Sequence, residues 1–116
     1  MADVASVRDK ALLLDMLMAA KDALGFVEGM DEATFLGSRL HQNAVVRSLE
    51  VIGEAANSVS AEFRAAHVQI PWRPMIGMRH RLIHGYGDVR MDLVWDVVQS
   101  RVPELIEALE PWFGGD

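Results

Sequence analysis

Apolar residues along this chain recur at steps of three and four, and alternating apolar–polar runs are missing. That period belongs to amphipathic helices rather than strands. A first helix is expected over Val4 to Val27, with Val7, Ala11, Leu14, Met18 and Leu24 on its buried stripe and Arg8, Lys10, Asp15 and Asp22 facing water. Gly25 and Gly29 weaken its end, and Asp31 can cap a short turn carrying Phe35 and Leu36. The second helix, from about Ser38 to Val59, is the clearest: Val45, Leu49, Ile52, Ala56 and Val59 step four, three, four, three. Gly53 lies inside it, where glycine costs about 1 kcal/mol relative to alanine. A glycine there suggests another backbone passing close.

Ser60 reads as the N-cap of a short helix from Ala61 to His67. Pro71 breaks what precedes it, and Pro74 fits the first turn of a new helix, where its missing N–H is not needed. That helix should run from about Trp72 to His84, bury Ile76, Leu82 and Ile83, and stop at Gly85 and Gly87. Asp92 is expected to cap a last helix with Val94, Val98, Val102, Leu105 and Leu109 on its stripe, kinked or divided at Pro103. Four long helices and one or two short ones imply an all-α fold, a single domain over residues 1–116 built on an antiparallel four-helix bundle.

Composition narrows the chemistry. The chain has 116 residues, 51% hydrophobic and 24% charged, which argues against disorder, and no cysteine, which excludes disulfides, thiolate metal sites and a cysteine nucleophile. No uninterrupted apolar run approaches a membrane span, and the polar start lacks the features of a signal peptide. The expectation is a soluble cytoplasmic protein with its natural start. The net charge of −6 is the wrong sign for a protein that coats nucleic acid.

The distribution of charge changes that. Between Phe63 and Met91, Arg64, Arg73, Arg79, Arg81 and Arg90 face only Asp88, a segment of +4, whereas the remainder, with six basic and sixteen acidic residues, carries −10. His67, His80 and His84 share this segment, as does Tyr86, the only tyrosine. Arginine offers a permanent cation with a fork of donors suited to phosphate oxygens, and histidine titrates near neutrality and can move protons. On a regular helix Arg79 and His84 stand about 140° apart, so they could flank one groove without stacking. His80 and His84 share the spacing of a zinc-protease histidine pair, but Arg81 occupies the place of that motif's glutamate, and no metal is expected. Structural roles are also open: His84 capping the helix end, Arg79 pairing with Glu50 or Glu54 of the second helix, Tyr86 as a half-buried aromatic.

The run Arg79-x4-His84-x-Tyr86 resembles the signature of HepT-type toxins of the HEPN superfamily of helical ribonucleases. The resemblance extends through Leu49-Glu50-Val51-Ile52-Gly53-Glu54-Ala55-Ala56, Ile70-Pro71-Trp72-Arg73, Ile76-Gly77-Met78-Arg79 and Asp92-Leu93-Val94-Trp95, covering residues 40 to 110. It implies a metal-independent endoribonuclease without a cofactor, acting on tRNA or mRNA as the toxin of a type VII-like toxin–antitoxin system. Carried over, Arg79 would hold the scissile phosphate and His84 would transfer the proton. His80, where the superfamily often has asparagine or aspartate, Arg81, Arg73 and Glu54 would support the site or bind substrate. The resemblance further implies a symmetric homodimer and an MntA-type nucleotidyltransferase antitoxin that attaches AMP to Tyr86. Two alternatives stay open: a catalytically inactive dimeric binding module for such a nucleotidyltransferase, and an oligomerising bundle whose basic segment is only an interface.

Overall fold

The computed structural model describes residues 5–84 and 89–113, the side chains of Ile83 and His84 excepted. Within these residues the chain is helical, with no strand: α1 (Val7–Phe26), α2 (Glu32–Leu36), α3 (Arg39–Ser58), α4 (Ala61–Ala66), α5 (Trp72–His84) and α6 (Met91–Leu109), closed by a 3₁₀ turn, Glu110–Trp112. None of the helices is long and apolar enough to cross a membrane. The all-α expectation is met, with four long helices and two short ones.

Caps set most helix starts. Ser6 accepts the Asp9 amide at 3.0 Å, Asp31 the Thr34 amide at 2.8 Å, Ser38 the His41 amide at 3.2 Å and Ser60 the Phe63 amide at 3.1 Å. Hydrogen bonding to the Thr34 side chain, and then to its amide, holds the Asp31 carboxyl below the usual carboxylate range. Asp92 is different. The helix begins at Met91, with Arg90 in the cap position and no side-chain cap bond, so Asp92 stands in the first turn instead. There its carboxylate accepts from Arg90 Nη2 at 2.6 Å and Nε at 3.2 Å, which lowers its pKa.

α1, α3 and α6 form the centre of the core. α1 packs on both α3 and α6, while α5 packs chiefly on the opposite side of α3. The predicted stripes of α3 and α6 are buried at every position, Val45 through Val59 and Val94 through Leu109. α6 runs unbroken through the exposed Pro103 rather than dividing there. The carbonyl of Gln99 loses its helical donor at the wet surface, where water can replace it.

The expected stripe of α1 is not the buried one. Val7 is 90% and Met18 57% exposed, whereas Leu13, Met16, Leu17, Ala20 and Ala23 are buried. The helix is apolar on more than one side, and the alanine-rich side wins because small side chains let α3 and α6 approach closely. In α5, Trp72, Met75 and Met78 are the buried residues, and Ile76 and Leu82 are only partly so. The expected burial of Ile83 and the stops at Gly85 and Gly87 lie outside the described residues.

One polar contact closes the α1–α3 pair. Buried Asp9 accepts the Ser60 amide at 2.9 Å and the Ser60 hydroxyl at 2.7 Å, while Arg8 donates to the Ser58 carbonyl at 2.8 Å. Burial pushes the Asp9 carboxyl up, but the Ser60 hydrogen bonds, with Arg8 and Ser6, outweigh it and hold the pKa below the ordinary value. The start of α1 is thereby fixed to the end of α3, and the two run antiparallel.

Candidate functional site

The basic segment is carried mainly by α5, and its position depends on two anchors. At the N-terminal end, Trp72 Nε1 donates to the His67 carbonyl at 2.9 Å. The rings of Phe63, His67 and Trp112 gather beside it: His67 stacks on Phe63 with centroids 4.2 Å apart and meets Trp112 edge-on at 5.0 Å. His67 is therefore a buried member of an aromatic cluster, and does not join the exposed cationic residues of α5. The Ile70-Pro71-Trp72 run serves the same anchor, with Ile70 buried beneath it.

The second anchor is Gly53 in the middle of α3. A Cβ there would fall into the Cβ of Arg79 and lie 2.8 Å from the Met75 carbonyl and 3.2 Å from Arg79 Cγ. Only a residue without a side chain lets α5 settle this deep on α3. The close backbone approach expected from Gly53 is thus present, and the element that approaches is the one bearing Arg79. The aliphatic stem of Arg79 fills the space that a side chain at 53 would take, and the residue remains half-buried.

Neither glutamate expected to brace Arg79 pairs with it. Among the described residues, Glu54 is exposed on α3, Glu50 is half-buried, and neither makes an ion pair with the guanidinium. What α3 supplies to Arg79 is an absent side chain, not a countercharge. An arginine held by its stem, with no carboxylate of the described residues on its head, has donors to offer an external anion.

Arg73, His80 and Arg81 are exposed on α5. Arg81 bends back along the helix, its Nη1 3.8 Å from where a Cβ of Gly77 would stand. His84 is the last residue of α5, one turn beyond His80; its side chain lies outside the described residues, as does the whole of Tyr86. The ion pair of Arg90 with Asp92 removes that arginine from the free positive charge of the segment, leaving Arg64 on α4 and the arginines of α5. Among the described residues, no three histidines or carboxylates are grouped to hold a metal ion.

Comparison with known proteins decides the family. The profile of the family described as ribonuclease HepT-like matches residues 16–111. The chain belongs to the HepT-like ribonuclease family. Its relatives include two from Methanocaldococcus jannaschii. "Putative RNase MJ1380" is 37% identical over 106 residues, 90% of this chain and 97% of that protein. "Putative RNase MJ0127" is 39% identical over 101 residues, 87% of this chain and 84% of that protein. "Probable ribonuclease HepT" of Thermococcus cleftensis is 42% identical over 71 residues, 61% of this chain and 64% of that protein. No solved structure gives a significant match.

Proposed function

We propose that this HepT-like protein is a metal-independent endoribonuclease in which Arg79 and His84 act on one phosphodiester of RNA. The observation that carries the reading is the setting of Arg79: its stem is fixed against Gly53 and its guanidinium has no acidic partner among the described residues. In the reaction, the 2′-oxygen bonds to phosphorus as the bond from phosphorus to the 5′-oxygen breaks. The imidazole of His84 takes the proton of the 2′-hydroxyl, and a proton is returned to the leaving 5′-oxygen. The products are a 2′,3′-cyclic phosphate and a 5′-hydroxyl. Arg79 offsets the charge that grows on the phosphorane oxygens, a contribution of the kind that dominates many rate accelerations. His80 provides a second imidazole for the returning proton, and Arg73 and Arg81 hold flanking phosphates.

The same proposal places the protein in the cytoplasm as the toxin of a toxin–antitoxin pair, acting as a homodimer. The neighbouring antitoxin is a nucleotidyltransferase of the MntA type that transfers AMP from ATP to the Tyr86 phenol, releasing pyrophosphate. The ester adds bulk and negative charge two residues from His84 and competes for the phosphate-binding cations.

The test is cleavage of total RNA in the presence of a chelator, comparing wild type with Arg79→Ala and His84→Ala. Cleavage that survives the chelator and is lost in both variants supports the assignment. Equal cleavage by all three refutes it. Intact mass after incubation with the antitoxin and ATP tests the modification: one AMP increment on the peptide containing Tyr86 is expected, and none with Tyr86→Phe.

A further inference from the structure

α5 contains a glycine of its own, Gly77, for which the described residues give no reason. Among the described residues, a Cβ at Gly77 would meet only Arg81 Nη1, at 3.8 Å, an ordinary van der Waals contact. Gly53 is different, because alanine cannot be placed there. Gly77 lies in the helix interior, where glycine is less favourable than every residue except proline. It makes no positive-φ turn, since the described glycine of that kind is Gly29. Alanine would fit Gly77 among the described residues and strengthen the helix, so none of them accounts for the missing side chain.

The surroundings indicate what does. Arg73 and Arg81 stand four residues before and after Gly77, one turn to either side on the same face, and both are exposed. Neither forms an ion pair among the described residues. His80 is three residues on, within the same face. The face thus presents a flat stretch of helix backbone between two cations about 12 Å apart along the axis. A symmetric contact between two copies through this face would bring these arginines towards their own counterparts, an unfavourable arrangement. A polyanion meets both requirements.

We propose that Gly77 is a positioning residue for RNA: the sugar–phosphate backbone lies directly against α5 at Gly77, and Arg73 and Arg81 bind phosphates on either side. This rests on the ribonuclease reading and extends it. It gives the enzyme a contact with the RNA backbone on the exposed face of α5, on the other side of the helix from the buried stem of Arg79, made by close steric approach rather than by base identity.

The experiment compares wild type with Gly77→Ala, Gly77→Leu and Arg81→Gln. The readouts are thermal melting, oligomeric mass by light scattering, RNA cleavage, and binding of a 2′-O-methyl RNA oligonucleotide, which cannot be cleaved, across a salt series. Gly77→Ala is expected to raise Tm by a few degrees. It should weaken binding of the oligonucleotide about tenfold, with a larger loss for Gly77→Leu, as expected when a close contact is pushed away. Arg81→Gln should lower the slope of log affinity against log salt by about 1. Wild-type binding and cleavage in both Gly77 variants would overturn the proposal while leaving the ribonuclease reading intact. A change of oligomeric mass in Gly77→Ala would also overturn it, assigning the face to a second copy of the chain. A wild type that neither binds nor cleaves RNA would refute the ribonuclease reading, and this proposal with it.

Discussion

Gly53→Ala adds one methyl group at the crossing of α3 and α5, and the structure allows its effect to be worked through. The helix propensity of α3 improves by about 1 kcal/mol. Against that, the new methyl would overlap Arg79 Cβ and sit 2.8 Å from the Met75 carbonyl, both inside normal contact distance. The Met75 carbonyl and the base of the Arg79 side chain move only with the backbone of α5, so the contact cannot be relieved by a rotamer change. α5 must therefore lift by on the order of 1 Å to restore van der Waals separation. Overpacking of this kind costs about 1–3 kcal/mol, so the net loss is up to about 2 kcal/mol, or several degrees of Tm. The effect on activity should be larger, because a displacement of about 1 Å in a positioned catalytic group can cost about 100-fold in rate. The assay is RNA cleavage well below the melting temperature of the variant, alongside a thermal melt. A Gly53→Ala protein that melts at or above the wild-type temperature and cleaves at the wild-type rate would refute the argument that this glycine sets the position of Arg79.

Three further outcomes are expected. Asp9→Ala leaves the Ser60 amide and hydroxyl without their acceptor and should cost about 1–3 kcal/mol in a urea titration. Because the folded pKa of Asp9 lies below its unfolded value, its contribution is complete above the usual carboxylate range and fades as pH falls through that range; the wild-type advantage over Asp9→Ala should therefore shrink in acid, and an advantage that grew would contradict the assignment. His67→Phe removes a buried Nε2 that has no hydrogen-bond partner among the described residues and keeps the ring stack on Phe63, so Tm should hold or rise by a few degrees with cleavage unchanged. Pro103→Ala restores a helical N–H to α6 and should stabilise the fold by about 1–3 kcal/mol, visible as a higher denaturation midpoint.

What the sequence discloses follows from how local each determinant is. The caps at Asp31 and Ser60 act over three residues and could be read directly, whereas Ser38, expected as the first residue of its helix, is its cap. The stripes of α3 and α6 could be read because each helix has one apolar side. α1 misleads because Leu14 and Met18 compete with Leu13 and Leu17, and only the helices packed on it decide between the two sides. Asp92 reads as a cap because its residue type suits one, whereas its bond to Arg90 depends on a helix start two residues earlier than expected. Gly53 disclosed a close approach but not its partner. The Asp9–Ser60 contact joins residues 51 positions apart and leaves no periodic trace. At the site, the cationic segment was plain from charge counting, while the removal of His67 into an aromatic cluster and of Arg90 into an ion pair required the folded chain. Nor did residue types distinguish the two glycines of the site region, one excluded from carrying a side chain by its neighbours and the other not.

The packing of α5 chiefly on one side of α3 also has a kinetic side. A helix clasped on several faces can open only when the core opens, whereas the part of α5 beyond its Trp72 anchor rests chiefly on α3 and can lift while α1, α3 and α6 stay closed. Amide protons of α5 should then exchange with solvent through a local event, sooner than those of α3. A molecule that pushes on α5 could thus silence the ribonuclease without unfolding it, at a free-energy cost well below that of global denaturation.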